Sequence, residues 1–460
     1  MQVRTWMLLG MVGLGLVACR TRGKHGVHAG EATLTSAEAA LPKDGVSEDV
    51  VRLVQVSSFT GPQAGLGTEL YRGAQSYFLE VNANGGIHGR KIELVPIDDR
   101  YSSEVAEEAT ERAVTDERAF ALFGASGTEP VAGILKTLKK HETEPTFLWG
   151  SSSPAEASRE GPLAPFAFNV RGSVKTAARD VVKALGAASL TKVAIVAQDN
   201  AFGKSCAAAA RKAAEERGLA VVAEATVSGG LRPDDASKNA LDVVRTLRNA
   251  GAEALILGMT YNPGAVVTRD AREEGWNVPV AVMGTPDTMV RHLVAHEHKT
   301  GRRMTNGLLG CVFAPPVSAK TLPAVQDFRA LMEKRNPQVP QEIADPNYRP
   351  LRASSSALEG YLMARVLGEA LERAGRNLTR DSLRRAAESI VDWDPGIGQA
   401  ITFGPGDNQG LDHVWIAGVK DEELAVVEDL KGYLTEKPAP VVVGKVERAK
   451  TPVPAAPTRR

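Results

Sequence analysis

Short apolar runs alternate with amphipathic stretches of helical length twice over in this chain, and no other feature limits its fold so tightly. Val51-Arg52-Leu53-Val54-Gln55-Val56 reads as a strand. The segment after it places Leu70, Ala74, Tyr77, Phe78 and Val81 on one helical face and stops at Gly85-Gly86. Residues 91–97 give a second strand ending in Asp98-Asp99, a charged helix follows over 103–116, and 119–123 give a third strand. A helix near 129–140 and a strand over 146–149 complete the series. It restarts at 192–197, an apolar run suited to a buried parallel strand, followed by an Ala-rich helix over 203–217 that ends at Gly218. Strands at 219–226, 253–258 and 278–283 then alternate with helices at 237–249 and 263–274. Strands interleaved with helices of this length predict parallel sheets covered on both faces. Two complete series predict two lobes rather than one wide sheet.

Beyond 305 the order changes. A strand-like 307–313 precedes consecutive helices at about 322–334, 354–374 and 379–390, and strands over 400–403 and 413–419 close the globular part. Helices gathered after two strand–helix series imply that the chain returns to complete lobes begun earlier. The 340–353 stretch, with Pro340, Pro346 and Pro350, reads as a surface loop.

The start of the chain carries an address. Met1-Gln2-Val3-Arg4 is short and positive, and an apolar run of about a dozen residues follows from Trp6 to Val17. A bilayer-spanning helix needs roughly 20 apolar residues, so this run reads as the core of a signal peptide. Leu16-Val17-Ala18-Cys19 looks like a bacterial lipobox, in which the cysteine receives diacylglycerol and becomes the mature N-terminus. Arg20 after it is not the Asp that retains lipoproteins at the inner membrane in some Gram-negative bacteria. Residues 19–48 read as the lipidated Cys and a flexible tether, and 436–460, with five prolines among Lys, Arg and Ala, as a disordered tail. Cys206 and Cys311 read as free buried thiols. Lys+Arg and Asp+Glu are both 55, so charge gives no reason to propose nucleic acid as a partner.

Four stretches stand out in order: Ser58-Phe59-Thr60-Gly61-Pro62; Val81-Asn82-Ala83-Asn84-Gly85-Gly86-Ile87-His88-Gly89-Arg90 with Lys91-Ile92-Glu93-Leu94 and Asp98-Asp99; Ala357-Leu358-Glu359-Gly360-Tyr361-Leu362; and Ile401-Thr402-Phe403-Gly404-Pro405-Gly406-Asp407-Asn408-Gln409-Gly410. Together they resemble the type I periplasmic binding proteins of the Leu/Ile/Val (branched-chain amino-acid) group that serve ABC transporters, here in a lipoprotein form. The resemblance implies an α/β fold of two Rossmann-like lobes with parallel central sheets, joined by three crossovers and closing over a ligand. It implies an N-terminal lobe of 49–171 plus 312–396 and a C-terminal lobe of 172–311 plus 397–435.

Open α/β sheets bind ligands at the carboxyl ends of their strands, where helix N-termini offer N–H groups to an anion. By resemblance, two loops there contact the carboxylate of an amino acid: Ala125, Ser126 and Thr128 in one, Ser151, Ser152 and Ser153 in the other. Helix capping explains the same Ser and Thr residues equally simply, and both roles are compatible. The resemblance also assigns ligand contacts to Leu66, where relatives often carry an aromatic, and to Phe202, which is otherwise a core residue at a helix start. It assigns one of the pair Thr260 and Tyr261. The acid that would take the ammonium is Asp287, one residue beyond the family's position, which Pro286 occupies.

Other signals carry less. His292, His296 and His298 with Glu297 match no zinc-protease spacing and read as an exposed helix end. Ser126 lacks the frame of a hydrolase elbow, and Asp98-Asp99 read as structural or hinge acids. The expectation is a non-enzymatic, cofactor-free, exported lipoprotein on the periplasmic or cell-surface side. It captures a small amino acid or related carboxylate for an ABC permease and ATPase complex. The alternative is a lipoprotein that uses the same fold as a ligand sensor or regulator of a cell-envelope partner.

Overall fold

The computed structural model describes residues 44–151, 161–234, 236–284, 286–436 and 441. The signal peptide, Cys19, Ser152, Ser153 and nearly all of the tail lie outside them. The first series forms β1 (Val50–Ser57), α1 (Ala64–Ala83), β2 (Lys91–Asp98), α2 (Ser103–Thr115), β3 (Ala121–Phe123), α3 (Thr128–Lys140), β4 (Phe147–Trp149) and β5 (Ala167–Phe168). These strands make one all-parallel sheet in the order β2-β1-β3-β4-β5. Val46, at the edge of the expected tether, is buried and bridges to Val51.

The second series runs α4 (Val174–Ala187), β6 (Lys192–Gln198), α5 (Ala201–Arg217), β7 (Ala220–Val227), α6 (Lys238–Asn249), β8 (Ala254–Gly258), α7 (Tyr261–Glu273), β9 (Val280–Val282), α8 (Asp287–Thr300) and β10 (Leu308–Val312). Then come α9 (Pro323–Arg335), α10 (Ser355–Ala374), α11 (Arg380–Glu388), β11 (Trp415–Lys420), β12 (Glu423–Val426) and α12 (Leu430–Thr435). The second sheet is ordered β12-β11-β10-β9-β8-β6-β7, parallel except for the antiparallel β10–β11–β12 end.

The returning helices complete the first lobe, because α9 and α10 pack on α1. The contact between α1 and α10 brings backbones together. A Cβ on Gly73 would stand 1.6 Å from the Ala357 carbonyl oxygen, and one on Gly360 would stand 2.0 Å from that of Leu70. Glycine is the side chain that permits such an approach.

Core membership locates the three crossings between lobes. Val170 belongs to the core of the five-stranded lobe and Val174 to that of the seven-stranded lobe, Ala314 and Phe313 divide the same way, and so do Leu411 and Val414. The third crossing corrects two expectations. Ile397, Ile401 and Phe403 bury in the five-stranded lobe, so that lobe extends past 396. The strand expected at 400–403 reduces to a single bridge between Ile401 and Trp393. Phe403 goes there because its ring meets Phe168 edge-on at 5.2 Å, within a group that includes Trp149 and Phe147. Two crossings are stitched together where Asn169 N–H donates to Asn408 O at 2.8 Å and Gly410 N–H donates to Asn169 O at 2.7 Å.

Candidate functional site

The carboxyl ends of the strands in both sheets give way to helices whose first residues, in α3, α7 and α8, line a cleft enclosing about 90 Å³. Residue 202, near the start of α5, lines it too. The start of α3 is set by Gly127 at φ 90°, a residue with no side chain to cap the helix, and the positive end of the α3 dipole faces the cleft there.

Leu66, Thr128, Phe202, Thr260, Tyr261 and Asp287 all line this cleft. Three others of the expected residues do not line it. Ala125 is buried in the core, and Ser126 is fully buried with its Oγ 2.5 Å from Ser57 Oγ. Ser151 is buried, and its N–H donates to Asn169 Oδ1 at 3.1 Å. The loop after β3 turns its serine inward under the sheet's end, which leaves Thr128 at the cleft. Between Thr260 and Tyr261 the roles separate. Thr260 donates its hydroxyl and its N–H to Gln198 Oε1 at 2.8 and 3.0 Å. Tyr261 reaches across to the other lobe, where the Gly65 N–H lies against its phenolic oxygen; burial pushes this phenol up to about 12.

Asp287 opens α8. Its Oδ1 accepts the Ser355 N–H at 2.9 Å, whereas Oδ2 is buried without a well-formed hydrogen bond among the described residues, the Ser355 hydroxyl being the donor near this carboxyl. Burial pushes this carboxyl up to about 6; the Ser355 N–H opposes that shift and the charge of Glu69 adds to it. Thr128 Oγ1 and Gln63 Nε2 are buried and unpartnered among the described residues, and both residues line the cleft. Buried polar atoms without well-formed hydrogen bonds are uncommon in folded proteins, so three around one cleft call for a shared explanation. Apolar surface comes from Leu66, Phe202, Met259, Met283 and Met289.

The sequence reading missed Gln63, Arg171, Phe313, Leu351 and Ser354 as lining residues. Arg171 sits on the first crossing with its guanidinium carbon 3.3 Å from the centre of the Phe313 ring, and its Nη1 is 3.1 Å from Glu359 Oε1. Burial pushes Arg171 down and Glu359 up, each toward its neutral form, and the partner's charge opposes this in both. Glu359 lies in one of the stretches that carried the resemblance, which was the available signal.

The acids Asp98 and Asp99 tie turns. Asp98 Oδ1 accepts the N–H groups of Phe59 and Thr60 at 2.8 and 3.0 Å, and Asp99 Oδ1 accepts from Ser58 Oγ at 2.6 Å. The three histidines diverge. His296 meets Glu273 at 3.0 Å, His298 meets Glu422 at 2.7 Å, and burial lowers His292 to about 4. Among the described residues no group of three or more His, Cys, Asp or Glu could hold a metal ion, and no helix is long and apolar enough to cross a membrane. Cys206 and Cys311 are buried and unpaired with each other, and burial pushes both thiols up.

Two α/β lobes on three crossings, closed over a polar-tipped apolar cavity, define the type I periplasmic binding fold. A family model described as periplasmic binding protein matches residues 50–423, and the chain belongs to that family, whose members act outside the cytoplasm. An amino acid binding protein of Pseudomonas aeruginosa (PAO1) is 28% identical over 226 residues, covering 47% of this chain and 55% of that protein. The chain thus spans little more than half of that relative. Leu/Ile/Val-binding protein homolog 7 of Brucella suis biovar 1 is 25% identical over 358 residues, 75% of this chain and 82% of the relative. The crystal structure of a branched chain amino acid ABC transporter from Thermus thermophilus with bound valine matches at a TM-score of 0.68 and 18% identity, covering 85% of this chain and 100% of that one.

Proposed function

We propose that this protein captures a small α-amino acid with an apolar side chain between its lobes and delivers it to an ABC importer, acting by binding alone. The buried Oδ2 of Asp287 carries this reading. A buried carboxylate oxygen without a well-formed hydrogen bond is costly, and a ligand ammonium supplies both the donor and the opposite charge. Across the cleft, Thr128 Oγ1 and Gln63 Nε2 offer donors to the ligand carboxylate beside the positive end of the α3 dipole. The methionines, Leu66 and Phe202 take the side chain, and thioethers suit a range of apolar shapes. The names of the relatives and of the valine-bound structure point the same way. The lipobox at Cys19 supports attachment to a membrane through lipid, with the lobes on the periplasmic or cell-surface side.

Calorimetric titration with L-leucine, with 4-methylpentanoate (which lacks the amino group) and with 3-methylbutylamine (which lacks the carboxylate) tests the reading. Leucine should bind more tightly than either analogue, and Asp287→Asn should weaken leucine by about tenfold or more while sparing 4-methylpentanoate. Equal leucine affinity in the two proteins would remove Asp287 from ligand recognition.

A further inference from the structure

Between α9 and α10, residues 336–354 cross the edge of the cleft, and their end supplies Leu351 and Ser354 to its lining. On one side this segment is tied to α1 of the five-stranded lobe. Glu69 and Arg72, both buried, pair at 3.0 Å. Glu69 Oε1 accepts the Tyr348 hydroxyl at 3.0 Å and the Leu351 N–H at 2.8 Å, and Oε2 accepts the Ser354 hydroxyl at 3.1 Å. Arg72 donates to the carbonyls of Pro337 and Leu351 at 3.0 and 2.5 Å. The Tyr348 ring lies so close to Gly65 that a Cβ there would come within 2.6 Å of it.

On the other side the segment meets α8, which belongs to the seven-stranded lobe. Arg291 places its guanidinium carbon 5.0 Å from the centre of the Tyr348 ring and donates to Arg349 O at 2.5 Å. Thr288 hydrogen-bonds the Tyr348 side chain. None of Arg291, Tyr348 and Arg349 lines the cavity.

We propose that residues 345–351 form a strap that Arg291 latches when the lobes close, so that contacts away from the ligand set how long the cleft stays shut. The anchoring is asymmetric. The Glu69–Arg72 pair holds the strap on one lobe, so opening the lobes breaks the Arg291 contacts first. A contact made only in the closed state shifts the equilibrium by its full free energy, whatever the ligand is. A planar guanidinium over an aromatic face with one donor on a carbonyl is a contact that arginine makes and lysine only partly reproduces. This inference rests on the cleft being the ligand site and concerns the rate of release.

The test uses the full chain with Cys19→Ser and spin labels on Ala132→Cys and Ala208→Cys. These are exposed positions on α3 and α5, helices that meet across the cleft. Distances between the labels are measured without ligand. Arg291→Ala should move part of the population to longer separation, and Arg291→Lys should restore part of it. In stopped flow, Arg291→Ala should release L-leucine about tenfold faster, with association changed by no more than about twofold. Melting curves of the same proteins verify that each variant folds. Distance distributions that coincide in the parent, Arg291→Ala and Tyr348→Phe overturn the latch. If the parent does not bind leucine, the amino-acid reading fails, and the ligand-free distances still decide the latch.

Discussion

At Asp287 one oxygen is held by the Ser355 N–H, and burial pushes the carboxyl up to about 6. Its folded pKa lies above the ordinary aspartate value. The stability its neutral form contributes is therefore fully present at low pH and is lost as pH rises through about 6. Ligand-free Asp287→Asn should then melt higher than the parent at about pH 7.5 and show no gain at about pH 4, by calorimetry. Ligand binding runs the other way. An ammonium needs the ionised carboxylate and competes with the proton, so leucine affinity should fall below about pH 6, approaching tenfold per pH unit. Asp287→Asn should flatten that profile, and a flat profile in the parent would detach the acid from the ligand. Asp287 was reached only through the family resemblance, one residue beyond the position the family uses, which Pro286 occupies. Gln63 and Leu351 were not reached, because segments hundreds of residues apart meet only after folding. Ser126 was misplaced for another reason: a strand-to-helix loop in a sequence does not show which of its hydroxyls faces inward.

Among the elements, α1 and α10 depend on each other. With Gly73 and Gly360 each against the other helix's carbonyls, an added methyl has nowhere to go. Gly73→Ala should cost about 1–3 kcal/mol or more, seen as a lower denaturant midpoint at unchanged slope. Gly186, inside α4 like Gly73 inside α1, is the control for backbone effects, because a Cβ there would meet only Leu219 Cδ1 at 3.5 Å. The helices themselves were readable from apolar spacing: α2, α6, α9 and α10 begin and end within a few residues of the expected bounds. The antiparallel turn from β11 to β12 was not, because Glu423-Leu424-Ala425-Val426 is too short and too mixed to stand out as a strand. The stretch at 400–403 had the opposite fault. It has a strand's composition, yet Ile401 and Phe403 are spent on filling the core around Phe168.

For the whole molecule, the crossings matter most, and there Arg171, Phe313 and Glu359 bring together the first crossing, the second and α10. Removing the acid alone, as in Glu359→Ala, takes from the buried Arg171 guanidinium its counter-charge on α10 and should lower stability in denaturant unfolding. Replacing the pair together, Arg171→Met with Glu359→Leu, should cost much less, because two apolar groups need no counter-charge. Equal losses in the two proteins would mean that packing of the stems, not charge, governs the site. The two-lobed plan was visible in the doubled strand–helix series, whereas the place of the third crossing was not. The expected change of lobe was at 396–397, but the cores place it after Leu411. That late crossing has a consequence for how the protein is made. The first lobe to be started is the one that waits for Ile397, Phe403 and Leu411 to finish its core. A chain emerging from its N-terminus passes almost all of its length before either lobe can settle.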